Sequence, residues 1–205
     1  MIAVIDYGVG NLFSLKSSFS ALGADIRITN EKSVIAAAAK IVLPGVGAFG
    51  DAAKKLKEHN LDKVLIDQAA LGKPILGICL GMQLLFDKSY EYGEHTGLGL
   101  IKGTVRAIAD VVKYDVKIPH MGWNSLEFGE KKHSLFKYID EGDYVYFVHS
   151  YCAVDCDDSV IAATNYGGAV ITAAAANGNV YGCQFHPEKS GNVGLKILKA
   201  FCETE

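Results

Sequence analysis

A cysteine stands at the centre of the strongest chemical signal in this sequence, the run Gly77-Ile78-Cys79-Leu80-Gly81. The run has the form of a nucleophile elbow, in which the reactive side chain sits on a sharp turn between a strand and a helix. That turn would expose the Cys79 thiol, and the positive end of the helix would favour its thiolate. The backbone N–H of Leu80 would then donate to a developing oxyanion. The alternative is a small inert thiol packed at a glycine-containing junction.

A thiol nucleophile needs a base, and His186 stands out among the six histidines. Pro187 favours an extended conformation for the residue before it, and residues two apart in an extended chain face the same side. His186 and Glu188 should therefore project together, which predicts a base and the carboxylate that orients it. A surface histidine and glutamate at the end of a strand are the alternative.

Gly45, Gly47 and Gly50 match the spacing G-x-G-x-x-G, so a dinucleotide site has to be considered. That fingerprint opens the first strand-to-helix turn of its fold, and an acidic residue follows about 20 residues later. Here the glycines come after the third predicted strand and behind a proline, which disfavours the assignment. We predict instead that residues 44–47, called here the oxyanion segment, present bare backbone N–H groups opposite the elbow.

The elements that would position these residues follow from hydrophobic periodicity. Short apolar runs predict strands over residues 2–5, 25–28, 40–43 and 74–78, and helical spacing predicts helices over 12–22, 51–71, 80–86 and 191–201. The longest helix is expected in two pieces, broken near His59-Asn60. Further strands are predicted over 104–108, 144–148, 159–164, 169–174 and 180–185. The pattern predicts an α/β fold with an open, mostly parallel sheet, flanking helices and antiparallel additions.

Length and composition bound the class of protein. The 205 residues favour one domain over 1–205, and 50% hydrophobic with 21% charged residues excludes a disordered chain. A net charge of −3 does not favour a nucleic-acid partner. The sequence contains no apolar run of about 18 residues, so a membrane span is not expected. The first residues lack the basic region of a signal peptide, so we expect a cytoplasmic protein. The five cysteines predict neither a disulfide framework nor a metal site.

Together, three motifs make the chain resemble the class I (triad) glutamine amidotransferases. The oxyanion segment reads Pro-Gly-Val-Gly, the elbow continues as Gly-Ile-Cys-Leu-Gly-Met-Gln, and the base lies in His-Pro-Glu. Their order and separations agree with that family over essentially the whole chain. The resemblance implies a flavodoxin-like open α/β sheet with its site at the carboxyl ends of the strands.

Within that family the chain is similar to the glutaminase subunits of imidazole glycerol phosphate synthase, the HisH type. Four further stretches carry this likeness, at residues 5–11, 119–124, 146–151 and 186–190. The Pro-His-Met-Gly-Trp-Asn stretch at 119–124 separates this type from the anthranilate, carbamoyl phosphate, GMP and pyridoxal phosphate relatives. Phe13 departs from the pattern, because a basic residue is expected there.

The resemblance implies a role for each site residue. Cys79 attacks the side-chain amide of glutamine and releases ammonia, and water hydrolyses the resulting γ-glutamyl thioester, with His186 as base and acid and Glu188 as its orienter. Backbone N–H groups near Gly47 and at Leu80 would hold the oxyanion. The glutamine head group would be held by four residues: Gln83, Glu91, Ser150 and Tyr151. No cofactor is implied.

The resemblance also implies a partner, a (βα)8-barrel cyclase. Ammonia would react there with a nucleotide to form imidazole glycerol phosphate, on the histidine pathway, and an aminoimidazole carboxamide ribonucleotide. The 205 residues leave no room for a barrel, so the cyclase is expected on a separate chain. Tryptophan and methionine are enriched at interfaces, although a tryptophan in the core is the alternative. The expected partner surface consists of His120, Met121, Trp123 and Asn124.

Three other functions stay open at this point. The chain could act alone as a thiol hydrolase of γ-glutamyl substrates, or it could be the glutaminase subunit of another synthase. A regulatory subunit with a decayed site is the third, which the intact Cys79, His186 and Glu188 disfavour.

Overall fold

A computed structural model describes residues 1–129 and 131–204 of the chain. Strands and helices alternate through the first half of these residues, and strands predominate in the second. The helices are α1 Leu12–Ala21, α2 Lys32–Ala37, α3 Phe49–Glu58, α4 Leu61–Ala70, α5 Leu80–Leu84 and α6 Gly191–Cys202. The strands are β1 Ile2–Ile5, β2 Ile26–Thr29, β3 Lys40–Leu43, β4 Ile75–Ile78, β5 Phe86–Ser89, β6 His95–Thr96, β7 Ile101–Ala107, β8 His120–Ser125, β9 Tyr144–His149, β10 Tyr151–Val154, β11 Val160–Tyr166, β12 Ala169–Asn177 and β13 Val180–Cys183.

The largest sheet has seven strands in the order β2-β1-β3-β4-β13-β12-β11. Strands β2, β1, β3, β4 and β13 run parallel to one another. Strands β12 and β11 extend the sheet in antiparallel fashion. Because the carboxyl ends of parallel strands share one edge, the residues that follow β1, β3, β4 and β13 meet there.

Two smaller sheets come from the chain between β4 and β11. One has four strands in the order β10-β7-β5-β6, and the other is a ribbon of β8 and β9. In the ribbon, His120 pairs with His149 and Trp123 pairs with Tyr146. The ribbon therefore joins the stretch expected to face a partner to the strand that leads into residues 150 and 151.

The hydrophobic core lies on both faces of the seven-stranded sheet. Along β1, Ala3 and Ile5 pack in one buried cluster with side chains of α3 and α4, whereas Ile2 and Val4 pack in another with side chains of α1 and α6. A parallel strand covered on both faces has no polar side to alternate with. This explains why the first strands of the sequence are continuous apolar runs.

The predicted fold class is confirmed, since the main sheet is mostly parallel, helices flank it and antiparallel strands extend it. The predicted break near His59-Asn60 is also present, because Asn60 adopts a φ of +53° between α3 and α4. None of the described helices is long and apolar enough to cross a membrane.

Several elements differ from the sequence prediction. Helix α2 is not predicted, because its six residues are too few to show a helical period and Ile35 is its one buried side chain. The helix expected over 80–86 ends at Leu84, since the chain enters β5 at Phe86. The stretch at 120–125 forms a strand, although its mixed composition shows no alternation.

Candidate active site

Cys79 occupies the turn between β4 and α5 with φ +53° and ψ −111°. A residue with a side chain adopts such a conformation only when its surroundings enforce it. Two glycines make the turn possible, because a Cβ on Gly81 would lie 1.8 Å from the carbonyl oxygen of Leu43 and one on Gly77 would lie 2.6 Å from that of Gly81. The Cys79 N–H donates to the carbonyl of Cys183 at 2.8 Å and ties the turn to β13. The chain thus forms the sharp strand-to-helix turn that the sequence predicts.

His186 follows β13, and its Nδ1 lies 2.8 Å from Oε1 of Glu188. Both side chains are almost fully buried, at 3% and 2% exposure. His186 has the extended backbone that the following proline predicts, with φ −101° and ψ +96°, and the two side chains do meet. The extended conformation does not continue, because a 3-10 turn begins at Pro187. The Ser190 hydroxyl donates to the His186 carbonyl at 2.7 Å and holds the backbone of the histidine in place.

The electrostatics of His186 suit a base paired with a thiol. Burial would lower the pKa of His186, but the neighbouring Cys79 and Glu188 side chains outweigh burial and raise the pKa to about 9. His186 therefore carries a proton at neutral pH, next to the Cys79 side chain. Its Nε2 atom forms no hydrogen bond of ordinary geometry with any described residue, so it can exchange a proton with a reacting group.

One cleft of about 420 Å³ collects these groups. Most of the residues that the sequence assigns to catalysis, the oxyanion and glutamine line it: Cys79, His186, Gly47, Leu80, Gln83, Glu91, Ser150 and Tyr151. Glu188 lies behind His186, where it contacts the base rather than the open volume. The structure thus brings together residues that are separated by more than 100 positions along the chain.

A buried amide pair supports the floor of the cleft. Nε2 of Gln83 donates to the carbonyl of Tyr151 at 3.0 Å and to Oε1 of Gln184 at 3.1 Å. Nε2 of Gln184 in turn points at Sγ of Cys79 at 3.8 Å. Sequence reasoning misses Gln184, and the signal that could have found it is a polar residue inside an apolar run that ends at His186. The amide nitrogen of Gln83 is engaged by the protein itself, so a role of Gln83 toward glutamine stays a prediction.

Glu91 has a structural partner that the sequence does not reveal. Its carboxylate accepts the backbone N–H of Phe49 at 2.5 Å, where α3 begins directly after the oxyanion segment. The side chain is buried, and the negative charge lies at the positive end of a helix. Glu91 is therefore more than the solvated loop residue that its polar surroundings suggest, and its contact with glutamine stays a prediction.

The four residues expected at a partner surface are not alike. Met121 and Trp123 are 65% and 52% exposed, which suits an interface. His120 is 1% exposed and stacks between Phe147 and Tyr166, with ring centroids at 4.8 and 4.0 Å. Alternation along β8 turns the His120 side chain inward, so its direct contact with a partner stays a prediction.

Asn124, the fourth of these residues, uses its side chain within the chain. Its Nδ2 donates to the carbonyl of Asn165 at 2.9 Å, which joins β8 to β11. Position 124 is half-buried, so a partner contact at Asn124 stays a prediction.

His120 instead belongs to a buried pair with His149. Nδ1 of His120 lies 3.0 Å from Nε2 of His149, and Nδ1 of His149 lies 2.8 Å from the Tyr151 carbonyl. A carbonyl only accepts, so His149 donates to Tyr151 and receives a hydrogen bond from His120. Burial lowers the pKa of His149 to about 3 and keeps it neutral. The pair therefore anchors β8 to the backbone that lines the cleft.

The other cysteines form no disulfide and show no feature of a second site. Cys152, Cys156 and Cys183 are buried, and burial raises the pKa of each thiol. Within residues 1–129 and 131–204, no three His, Cys, Asp or Glu side chains are grouped as a metal site requires.

Comparison with known proteins defines the class of protein to which this fold and site belong. The family model "Glutamine amidotransferase class-I" matches residues 3–204, and the chain belongs to that family. Among its relatives is the "Imidazole glycerol phosphate synthase subunit HisH" of Lactococcus lactis subsp. lactis, which is 50% identical over 202 residues, 98% of each chain. The protein of the same name from Aquifex aeolicus is 50% identical over 200 residues, 97% of this chain and 94% of the relative. The resemblance inferred from the motifs is confirmed.

Solved structures with the same fold are more distant in sequence. A crystal structure described as a glutamine amidotransferase superposes with a TM-score of 0.76 at 17% identity and covers 99% of this chain and 98% of its own. The structure of PurLQS from Thermotoga maritima superposes with a TM-score of 0.75 at 21% identity and covers 98% of this chain and 96% of its own. At these identities the likeness concerns the fold.

Proposed function

We propose that this protein is the glutaminase subunit of an imidazole glycerol phosphate synthase of histidine biosynthesis, acting in the cytoplasm as one glutamine amidotransferase domain. The observation that carries the proposal is the placement of Cys79, on its positive-φ turn, beside the buried His186–Glu188 pair in a single cleft. Full-length identity of 45–50% to proteins named as that subunit supports the choice of synthase.

The first half of the reaction forms a thioester. The Cys79 thiolate attacks the side-chain amide carbon of glutamine, and the carbonyl oxygen becomes an oxyanion. The N–H of Leu80 and those of the oxyanion segment around Gly47 donate to it. Protonated His186 gives its proton to the departing nitrogen, so ammonia leaves and a γ-glutamyl thioester remains.

The second half returns the enzyme to its starting state. Neutral His186 now takes a proton from water, and the resulting hydroxide attacks the thioester carbon. The C–S bond breaks, glutamate leaves and the Cys79 thiolate is restored beside a protonated His186. The Glu188 carboxylate orients the ring in both halves and stabilises its charged form. Each step uses groups of this chain, glutamine and water, and no cofactor enters.

A (βα)8-barrel cyclase on a separate chain is the partner that we propose as the acceptor of ammonia. Exposed Met121 and Trp123 follow Pro119, which itself lines the cleft, so a partner bound there would cover the site where ammonia forms. Ammonia released to bulk water near pH 7 would be protonated and lose its nucleophilicity. Delivery to a covered acceptor avoids that loss.

The oxyanion segment is a suitable switch for control by this partner. Gly47 has a φ of +96°, and no atom lies within 4 Å of the position that a Cβ would take. A peptide plane at this point can therefore turn without a clash. Losing one oxyanion donor lowers a rate by roughly 10²–10³-fold, which is enough for a switch.

The test measures glutamate formation by this chain alone, with a cyclase subunit, and with cyclase plus its nucleotide ligand. We expect the slowest rate alone and the fastest with nucleotide, by roughly 10²–10³-fold. Three equal rates would favour a stand-alone hydrolase of γ-glutamyl substrates. Stimulation by the barrel of a different synthase, but not by this cyclase, would assign the chain to that synthase.

The partner surface is tested separately by Trp123→Ala. A buried tryptophan at an interface contributes about 2 kcal/mol or more, so the Kd for the cyclase should rise at least roughly 30-fold. Leu71→Ala is the matched control, because Leu71 is 77% exposed at the end of α4, on the edge of the sheet opposite the cleft. An unchanged Kd for Trp123→Ala would place the partner elsewhere.

A further inference from the structure

The hydroxyl of Tyr7 lies where three segments of the site meet. Tyr7 follows β1, is 3% exposed, and donates its O–H to the carbonyl of Pro44 at 2.7 Å. Pro44 is the first residue of the oxyanion segment. The same hydroxyl lies 2.9 Å from the position that a Cβ would take on Gly45, and the N atom of Gly81 in the elbow lies 2.8 Å from that position. Tyr7 thus contacts the start of the oxyanion segment at the point where that segment crosses the nucleophile turn.

The other end of the oxyanion segment is held as well. The N–H of Phe49 donates to the Glu91 carboxylate at 2.5 Å, and Phe49 is buried. Between these two hydrogen bonds, Val46 and Gly47 are exposed, whereas Pro44 and Gly45 are buried. Motion of the backbone is therefore confined to a short middle part with fixed ends.

The Tyr7 hydrogen bond controls a specific rotation. The peptide plane between Pro44 and Gly45 turns through the ψ angle of Pro44 and the φ angle of Gly45, and neither angle is fixed by the proline ring, which locks only the φ angle of Pro44. A hydrogen bond to the Pro44 carbonyl stops that turn and sets the direction of the Gly45 N–H on the opposite side of the plane. Burial, followed by the nearby Cys79 charge, raises the pKa of Tyr7, so the hydroxyl stays a neutral donor at working pH.

We propose that Tyr7 is a positioning residue that fixes the first peptide plane of the oxyanion segment, so that only the planes after Gly45 reorient when the site is switched on. The inference rests on the proposed glutaminase function, because it gives Tyr7 an effect on the oxyanion. Tyr7 does not touch the reacting atoms. Its loss should therefore lower kcat and leave glutamine binding and the reactivity of the thiol unchanged.

The test is Tyr7→Phe, assayed in the complex with cyclase and nucleotide. We expect kcat for glutamine hydrolysis to fall at least about tenfold, a part of the roughly 10²–10³-fold effect of losing an oxyanion donor, with KM changed by less than about twofold. Alkylation of Cys79 by iodoacetamide forms no oxyanion, so its rate should equal that of the wild type. Mass spectrometry of the peptide that contains Cys79 measures this rate. Amide hydrogen exchange should accelerate in the peptide covering residues 44–49 and not in residues 80–84.

Tyr181→Phe is the matched control, because Tyr181 is 8% exposed in β13 and packs against Phe201 of α6. Tyr181→Phe should match the wild type in kcat, in the rate of Cys79 alkylation and in the rate of amide hydrogen exchange. An unchanged kcat in Tyr7→Phe would overturn the inference, and so would a loss that appears equally in KM or in the alkylation rate, since the hydroxyl would then support the site only structurally. A wild-type complex that fails to hydrolyse glutamine would instead overturn the proposed function.

Discussion

Replacing Glu188 by glutamine removes the charge that faces His186 and keeps the shape of a buried side chain. The carboxylate lies 2.8 Å from Nδ1, and the glutamate is 2% exposed. Two unit charges about 4 Å apart attract by roughly 4 kcal/mol at an effective dielectric constant of about 20. In the variant the amide oxygen still accepts a hydrogen bond worth about 1 kcal/mol, so the protonated His186 ring should lose about 3 kcal/mol of stabilisation. Because about 1.36 kcal/mol is a tenfold change, kcat should fall roughly 100-fold.

The assay for Glu188→Gln measures glutamate formation in the complex with cyclase and nucleotide. KM for glutamine should change by less than about twofold, because Glu188 contacts the base and not the substrate volume. The Glu188 carboxylate also helps to raise the pKa of His186, so its removal lowers that pKa and weakens the thiolate–imidazolium pair. Alkylation of Cys79 at neutral pH should therefore slow. Synthesis from added ammonium should persist, because the cyclase is untouched.

Glu203→Gln is the control for the loss of one negative charge. Glu203 pairs with Lys137 at 2.6 Å near the end of α6, and 38% of its side chain is exposed. Its kcat should equal that of the wild type. The reasoning about Glu188 would be refuted by a kcat within about twofold of the wild type, or by a loss with an unchanged rate of Cys79 alkylation.

Further outcomes follow from other contacts. Cys79→Ala should lose glutamine-dependent synthesis by orders of magnitude and keep ammonium-dependent synthesis, whereas Cys152→Ala should keep both; normal glutamine turnover by Cys79→Ala would disprove the mechanism. Gly81→Ala should be strongly destabilised, because its Cβ would lie 1.8 Å from the Leu43 carbonyl oxygen. A Tm equal to that of the wild type, measured by circular dichroism, would contradict the described elbow. Burial lowers the pKa of His149 from 6.5 to about 3, so between these values the unfolded chain binds a proton that the folded chain does not. The free energy of unfolding should therefore decrease as the pH is lowered through that window. The difference between the urea midpoints at pH 7 and about pH 5 should be smaller in His149→Gln than in the wild type.

The parts of the site that depend on near neighbours in sequence are the parts that can be predicted from it. The elbow needs a nucleophile between small residues at the end of an apolar run, and all of these lie within residues 77–81. The buried main-sheet strands are equally visible, because cover on both faces leaves runs without polar interruption. The pairing of His186 with Glu188 is predicted because the proline after His186 makes that residue extended, and the 3-10 turn begins only at Pro187.

Long-range contacts decide the features that the sequence does not reveal. His120 sits in a motif with the composition of an interface, and only the position of Phe147 and Tyr166 shows that its ring is buried. Glu91 looks like a solvated loop residue until α3 brings the N–H of Phe49 to it. Gln184 is part of the site because it accepts a hydrogen bond from Gln83, which lies about a hundred residues earlier in the chain. A single sequence contains no measure of these distances.

The backbone of Cys79 bears on how this chain evolves. A φ of +53° with ψ −111° on a residue with a side chain costs about 1–3 kcal/mol, out of a total stability of about 5–15 kcal/mol for a typical domain. Glycine would adopt the same angles without that cost. The strain therefore lowers the stability of the fold, and selection for turnover keeps a cysteine at this position. In a lineage that no longer needs glutamine hydrolysis, relief of this strain would favour glycine at position 79, so a glycine at the elbow of a relative marks a lost activity and not merely a tolerated change.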